Sequence, residues 1–325
     1  MKIEYKLFEG QHCETNATGN LFSQQGINLS EPMLFGLGEG LGFIFLNLSS
    51  LNLPFVGGRS KPFELTQKLC GNLGVDLIHK ETSSKKSALN SLQNLLSEKK
   101  CVGLQLDSFY LDYFTTKVHF AGHFVSAFGF DDKYFYLIDT KQQGSRQKCS
   151  QKNLEQARFA KGAMAAKARF WTVDVKNKQL DLKKAIPRAI RNNAKTYLNP
   201  PFKGASFHGI EKLAKSLPTW IEIAKKPKED LALAALMMER AGTGGSIFRN
   251  FYRDFLIESY GILKSTEIKK GSSLFIDIAK QWGEVADLLE ETSKTLNQKY
   301  LVQASELCRT LAITEVEAMK VLGAV

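Results

Sequence analysis

Residues 119–139 read HFAGHFVSAFGFDDKYFYLID, and this stretch decides the fold of the region around it. The segments on either side of Asp131-Asp132-Lys133 are rich in aromatic and apolar residues, as strands are, and the three polar residues supply a turn. The pattern predicts an antiparallel hairpin with His123 on its first strand and Asp139 at the end of its second. Counting outward from the turn places residue 123 nearly opposite residue 139, so the imidazole and the carboxylate should meet.

Cys13 lies about 110 residues before this hairpin, where a helix is predicted to begin. It follows Gly10-Gln11-His12, and the helix is expected to run to about residue 25, with Gly26 as a plausible C-cap. A thiol in the first turn of a helix lies at the positive end of the helix dipole, which favours the thiolate. The position therefore indicates a nucleophile.

The chain order of Cys13, His123 and Asp139 is the order of a papain-like catalytic triad. In such a triad the imidazole activates the thiol, and the carboxylate fixes the tautomer of the imidazole. Taken alone, Cys13 would be interpreted as a buried structural thiol, which is the commonest fate of a cysteine. The correctly ordered partners favour catalysis, with acyl chemistry through a thioester.

Two other histidines compete with His123 for the role of base. His12 adjoins Cys13, and neighbouring side chains at the end of an extended segment diverge, so we expect it to bind substrate or contribute to an oxyanion site. His119 lies four residues before His123, too far from Asp139 in the hairpin, and we expect it to line the cleft or its rim.

The oxyanion hole is expected to use the backbone N–H of Cys13 together with a second donor. Gln11 is a candidate, although it lies only two residues before the cysteine, closer than the upstream glutamine of papain-like enzymes. Glu31, at the predicted start of the next helix, is a further candidate for binding substrate.

Composition excludes several classes of protein and of site. The chain has 325 residues and 43% hydrophobic content, enough for two domains. No segment reaches the roughly 20 apolar residues of a bilayer-spanning helix, and the N-terminus lacks a signal-peptide pattern, so we expect a cytoplasmic protein without membrane contact. Five scattered cysteines without a CxxC pair argue against a disulfide framework or a zinc site. The glycine-rich stretch 35–43 fits no nucleotide-binding loop. Since no zinc site is expected either, we predict neither a metal nor a cofactor.

The net charge of +11 is concentrated in the middle of the chain. Residues 1–150 hold 15 basic and 14 acidic residues, residues 151–230 hold 18 and 7, and residues 231–325 hold 11 and 12. The middle segment should therefore form a positive surface. That surface is either a set of solvated helix faces or a docking site for an acidic macromolecule; no nucleic-acid-binding motif accompanies it, and nucleic acid is not expected.

The periodicity of the sequence predicts two domains. Residues 1–178 are expected to form an α+β catalytic domain, and residues 179–325 a mainly α-helical domain. The helices predicted in the second half are 182–197, 207–223, 229–241, 247–260, 273–296 and 299–324, the last of them broken near Ile313.

Several motifs resemble those of a known family. Residues 10–13 (GQHC), 29–40 (LSEPMLFGLGEG), 56–59 (VGGR) and 122–125 (GHFV) resemble the N-terminal domain of the butirosin biosynthesis protein H family. Residues 242–252 (GTGGSIFRNFY), preceded by 207–210 (FHGI), resemble the companion domain that is usually fused to it. The resemblance covers nearly the whole chain.

The resemblance implies a papain-like, C39-peptidase-like fold that makes amides. The family's best-known member passes an acyl group from an acyl carrier protein thioester to an amine of an aminoglycoside. By this resemblance Cys13 is the nucleophile, His123 the base and Asp139 the residue that orients it, with no cofactor. Arg249, in the companion signature, is expected either to help cover the thioester or to be a surface arginine beside a tight turn.

Three functions remain open at this point. The leading prediction is a cysteine-dependent acyltransferase of secondary-metabolite biosynthesis that takes an acyl or peptidyl group from a carrier protein and gives it to a small amine. The alternative is a cysteine peptidase or amidase with the same triad and water as acceptor. The third is a binding protein that retains an inactive triad. A homo-oligomer is compatible with each of them.

Overall fold

The computed structural model describes residues 1–48, 51–176 and 180–325, and within them the chain is α+β. The helices are α1 (Cys13–Gln24), α2 (Glu31–Leu37), α3 (Glu64–Leu73), α4 (Lys85–Ser97), α5 (Gln151–Arg158), α6 (Leu182–Leu198), α7 (Ser206–Ser216), α8 (Trp220–Ile223), α9 (Pro227–Glu239), α10 (Arg249–Leu263), α11 (Thr266–Thr295) and α12 (Gln298–Leu322). The strands are β1 (Leu41–Leu46), β2 (Phe55–Arg59), β3 (Asp76–Lys80), β4 (Val102–Leu106), β5 (His123–Phe130), β6 (Tyr134–Ile138), β7 (Arg146–Ser150) and β8 (Phe170–Asp174).

The chain forms two compact units that do not follow each other simply in sequence. Residues 1–34 and 62–180 make the first unit, and residues 35–61 and 181–325 make the second. The predicted domain boundary, between residues 178 and 179, lies outside the described residues. Residues 35–61 were expected in the first domain, and in the structure they group with the C-terminal helices.

The first unit is built on a six-stranded antiparallel sheet with the order β3-β8-β4-β5-β6-β7. The predicted hairpin is its β5–β6 pair, in which Ser126 pairs with Ile138. Extending this register places Asp139 opposite residue 125, two residues from His123. Without the bulge between Ala127 and Gly129, the pairing of Phe130 with Phe135 would place Asp139 opposite residue 126. Residues 123 and 125 share one face, so His123 and Asp139 are diagonal neighbours, which long side chains can bridge.

Helix α1 is the platform that carries Cys13, and its end agrees with the prediction. Gln25 caps the helix and Gly26 follows at φ +83°, a conformation that glycine adopts without strain. The buried carboxylate of Glu14 accepts the backbone N–H groups of Phe63 and Thr66 at 3.1 and 3.0 Å. These bonds join α1, which begins at Cys13, to the start of α3 in the first unit.

Two asparagines of α1 hold the segment that precedes Cys13. Asn16 accepts the backbone N–H of Gly10 at 2.8 Å, and Asn20 donates to the carbonyl of Phe8 at 2.9 Å. Both asparagines are fully buried, so their side chains bond to the protein in place of water. These bonds hold the segment before Cys13 against α1.

The second unit consists of the β1–β2 hairpin and the helices from α6 onward. Phe43 of β1 stacks on Trp282 of α11 with ring centroids 5.4 Å apart. The ring of Phe255 in α10 packs closely against Gly36. A Cβ at this position would lie 2.0 Å from the ring. The glycine-rich stretch therefore serves close packing in this unit.

Two helix predictions in this half were wrong in detail. Helix α12 runs unbroken past Ile313, whose side chain is exposed and places no demand on the core, while the neighbouring Glu315 is fully buried. The helix predicted over 207–223 is divided by a 3₁₀ turn containing Pro218, which has no backbone N–H to donate to the preceding turn of a helix. No helix in the described residues combines the length and the apolarity required to cross a bilayer.

Candidate active site

His123 and Asp139 form a buried hydrogen-bonded pair. His123 is the first residue of β5, and Asp139 directly follows β6. The imidazole Nε2 lies 2.8 Å from Asp139 Oδ2. Asp139 is fully buried and His123 is 7% exposed, so water competes little for this bond. The predicted pairing of imidazole and carboxylate is thus present in the geometry.

Asp139 receives two further donors that the sequence did not indicate. The hydroxyl of Tyr113 donates to the same oxygen, Oδ2, at 2.8 Å, and the backbone N–H of Thr140 donates to Oδ1 at 2.7 Å. Burial and the charge of Asp139 raise the pKa of Tyr113 well above its usual value, so the phenol keeps its proton and acts as a donor. Tyr113 lies in the connection between β4 and β5, where no periodic pattern marks it.

Cys13 is the first residue of α1 and is partly exposed, while the other four cysteines are buried. Its side chain lies close enough to the imidazole of His123 to contribute to the raised pKa of that group. Because Nε2 of the imidazole is bonded to Asp139, Nδ1 is the nitrogen left for the thiol. The structure thus brings together the three predicted triad residues.

The electrostatics of the group favour a protonated imidazole. Burial on its own lowers the pKa of His123, but the charge of Asp139, the hydrogen bond to that carboxylate and the interaction with Cys13 outweigh it and raise the pKa to about 10. The charge of Asp139 therefore favours the protonated form of the imidazole beside the Cys13 side chain. An arrangement of this kind can store and return a proton during acyl transfer.

Phe114 packs edge-on against the imidazole of His123, with ring centroids 5.3 Å apart and planes at 81°. It follows Tyr113, which bonds Asp139. The connection between β4 and β5 therefore contacts the His–Asp pair at two points, one polar and one apolar. The aromatic ring shields the imidazole from water and limits its rotation.

Glu31 holds the loop that leads into Cys13. Its Oε1 accepts the backbone N–H of His12 at 2.9 Å and the hydroxyl of Thr15 at 2.7 Å, and its Oε2 accepts the backbone N–H of Gln11 at 2.8 Å. Burial raises the pKa of Glu31, although all three donors act to lower it. The contacts are those of a positioning residue beneath the nucleophile.

The other two predicted neighbours of Cys13 differ in their exposure to solvent. The side chain of His12 is buried, and its Nδ1 lies 3.3 Å from the hydroxyl of Thr15. Gln11 is exposed. Cys13 itself occupies the first helical position, where backbone N–H groups have no partner within the helix and are suited to an oxyanion.

His119 forms its own pair with a carboxylate. Its Nδ1 lies 2.8 Å from Oδ2 of Asp107, a residue that is 1% exposed, whereas 61% of the His119 side chain is exposed. The expectation that His119 lies too far from Asp139 to pair with it agrees with this geometry. Asp107 is a residue that the sequence analysis missed.

Arg249 is fully buried in the second unit. Its Nε and Nη2 donate to the two carboxylate oxygens of Glu315 at 2.8 and 2.9 Å, and its Nη1 donates to the carbonyls of Gly42 and Ile247. Trp282 adds an indole N–H to Glu315 at 2.7 Å. Within its unit Arg249 is a core residue, neither a surface arginine nor an exposed contact for substrate. Its role in the core could not be predicted, because its partner lies 66 residues away in the chain.

No group of three or more metal-ligating side chains is found in the part of the chain that the structure describes.

Comparison with known families covers both halves of the chain. Residues 12–140 match the family model described as Butirosin biosynthesis protein H, N-terminal, and residues 152–322 match the model described as Domain of unknown function (DUF4872). The first match contains the Cys13, His123 and Asp139 group, and the second contains Arg249. No curated protein matches the chain.

Proposed function

Because this chain belongs to the DUF4872 family and carries a butirosin biosynthesis protein H N-terminal domain, we propose that it is a cysteine-dependent acyltransferase that forms amides. The donor is an acyl or peptidyl thioester on a carrier protein, and the acceptor is a small amine. The family description, which names butirosin biosynthesis, supports a role in antibiotic-type secondary metabolism. The fold that we propose for the first unit is papain-like, as the Cys–His–Asp order and the antiparallel sheet suggest.

The observation that carries the proposal is the hydrogen bond between His123 and Asp139, beside a Cys13 side chain that acts on the pKa of the same imidazole. In the first half-reaction the Cys13 thiol gives its proton to His123 and the resulting thiolate attacks the thioester carbonyl, while the N–H groups at the start of α1 are suited to receive the oxyanion. The His123 imidazolium gives its proton to the departing carrier thiol. In the second half-reaction the amine attacks the acyl-Cys13 thioester, His123 accepts a proton, and the Cys13 thiolate leaves.

A basic face of α6 supports docking of an acidic carrier protein. Lys184, Arg188, Arg191 and Lys195 recur at helical spacing, and all four are exposed. Carrier proteins are acidic, and charge complementarity of this kind accelerates association. The four residues belong to the segment in which the whole positive excess of the sequence lies.

Intact-protein mass spectrometry tests the chemistry. The protein is incubated with acyl N-acetylcysteamine thioesters, with and without a primary amine, beside a Cys13→Ser variant. We expect one acyl adduct on the wild-type chain, its loss on addition of amine with amide as the product, and no thioester adduct on the variant. Hydrolysis at equal rates with and without amine would instead indicate a peptidase or amidase, and an unreactive Cys13 would indicate a protein without catalysis.

Charge reversal tests the docking proposal. In a Lys184→Glu/Lys195→Glu variant, the activity with an acyl carrier protein should fall relative to the activity with the small thioester, and the salt dependence of the carrier reaction should weaken. A Lys80→Glu/Lys86→Glu variant, which reverses two exposed lysines of the first unit, is the matched control. Carrier activity that falls equally in both variants, or that does not depend on salt, would refute docking on α6.

A further inference from the structure

A second His–Asp pair lies in the connection between β4 and β5, and the triad does not use it. Asp107 is buried, and His119, which it holds through Nδ1 at 2.8 Å, is largely exposed. This bond leaves Nε2 as the nitrogen available to a ligand. The arrangement matches that of a general base oriented by a carboxylate.

The geometry of this pair is fixed in advance. The other oxygen of Asp107 accepts the backbone N–H groups of Phe109 and Phe120 at 3.0 and 2.9 Å. The ring of Phe109 stacks on the imidazole of His119, with centroids 4.0 Å apart and planes at 12°. Tyr110 lies edge-on to the same imidazole at 5.8 Å, so Asp107 and Tyr110 are the titratable groups placed against it in the described residues. An exposed histidine without such supports would rotate freely.

The pair is anchored at the end of the sheet where His123 begins β5. Asp107 directly follows Leu106, the last residue of β4, and Leu106 pairs with His123. The same connection supplies Tyr113 to Asp139 and Phe114 to the edge of His123. One short segment therefore supports both His–Asp pairs.

The proton balance of amide formation leaves one proton that the triad does not take up. At neutral pH an alkyl amine is an ammonium ion, so conversion of thioester and ammonium to amide and thiol releases one proton beyond those exchanged inside the triad. His123 gives one proton to the leaving carrier thiol and regains one when the amine attacks. The ammonium must first lose another proton to become a nucleophile. Hydrolysis has no such additional proton to remove, because water attacks as a neutral molecule and transfers its proton to His123.

We propose that His119, oriented by Asp107, accepts this additional proton from the ammonium form of the acceptor and passes it to solvent. The inference rests on the proposed acyl transfer. It assigns to this pair the recognition of a primary amine that is charged at neutral pH, with Nε2 of His119 as the atom that receives the proton. The exposure of the side chain then serves release of the proton to water.

The test compares His119→Gln with wild type, using an acyl N-acetylcysteamine thioester and two acceptors. One acceptor is an alkyl amine, which is charged at neutral pH, and the other is hydroxylamine, which is already a free base there. We expect the variant to lose about tenfold or more of its amide formation with the alkyl amine at pH 7, and to regain it as the pH approaches the pKa of the amine. With hydroxylamine the defect should disappear.

The controls separate this role from a structural one. His208→Gln removes another exposed histidine that is paired with a carboxylate, Glu211 at 3.1 Å, and should leave the dependence on acceptor and pH as in wild type. Asp107→Asn should reproduce the defect of His119→Gln. An equal loss with both acceptors in the His119 variant, or a wild-type pH profile with the alkyl amine, would overturn the inference. If wild type itself gives only acid and never amide, the proposed acyl transfer fails, and this inference fails with it.

Discussion

Asp139 accepts hydrogen bonds from three donors, and these bonds offset the cost of burying its carboxylate. His123 and Tyr113 bond one carboxylate oxygen, and the backbone of Thr140 bonds the other. A buried carboxylate is stable only with such compensation. These donors offset the burial of the carboxylate, and its charge raises the pKa of His123.

Asp139→Asn should change the pH dependence of acylation. The charge of Asp139 is the main influence that raises the pKa of His123 to about 10, so the wild-type rate of Cys13 acylation should fall at alkaline pH as the imidazolium is lost. In the variant this fall should begin at distinctly lower pH, since an amide cannot hold the imidazolium by charge. Stopped-flow measurement of the acylation rate across the pH range gives the pH at which this fall begins. Identical alkaline limbs in the two proteins would remove Asp139 from the triad.

Tyr113→Phe should destabilise the protein without removing the triad. The change deletes one donor from a buried carboxylate and preserves the ring, so we expect a loss of about 1–3 kcal/mol in the free energy of unfolding. Chemical denaturation measures the loss. Tyr110→Phe, in the same connection between β4 and β5, is the comparison. An unchanged free energy of unfolding in Tyr113→Phe would mean that water replaces the phenol at Asp139.

At the scale of elements, the β5–β6 hairpin was predictable because its sequence carries both the strand pattern and the turn. The bulge that shifts its register was not predicted, because Gly129 is the only residue there that is typical of a bulge and a single glycine does not fix its position. The diagonal placement of His123 and Asp139 therefore came from the structure. The connection between β4 and β5 lacks periodicity altogether, which explains why the sequence did not reveal Tyr113.

Gly103→Ala should disrupt the central strand β4. A Cβ at this position would lie 2.1 Å from the indole of Trp171, a side chain that is fully buried and has no room to shift. Overpacking of this kind costs about 1–3 kcal/mol. Gly71→Ala in α3 is the matched control, because nothing lies within 4 Å of its added Cβ and alanine favours a helix by roughly 0.5–1 kcal/mol. Thermal unfolding should move in opposite directions in the two variants.

At the scale of the whole molecule, the pattern of helices and strands predicted the α+β half and the helical half, but not which unit residues 35–61 join. That assignment depends on partners far away in the chain, such as Trp282 for Phe43. Arg249 shows the same limit, because its charge suggested a surface role and its partner Glu315 places it in a core. Tertiary pairing over such separations leaves no local signal in a single sequence.

A fragment of residues 1–180 should fold poorly for this reason. It retains the β1–β2 hairpin without the helices that cover it, so Leu41, Phe43 and Phe45 would be exposed. Replacing residues 41–59 by a short glycine-serine linker should restore a cooperative transition, because Gly40 and Ser60 already bond to each other at 2.9 Å. Circular dichroism and light scattering compare the two fragments. A fragment 1–180 as soluble and cooperative as the trimmed one would contradict the assignment.

The stacking of Phe43 on Trp282 also has a consequence for synthesis on the ribosome. The hairpin emerges early, and its aromatic partner in α11 follows about 240 residues later, a delay on the order of tens of seconds at ordinary elongation rates. During that interval the nascent hairpin presents apolar strands with no native cover. We expect the yield of active protein to depend on chaperones that bind the exposed hairpin. Slowing translation downstream of residue 61 should increase that dependence.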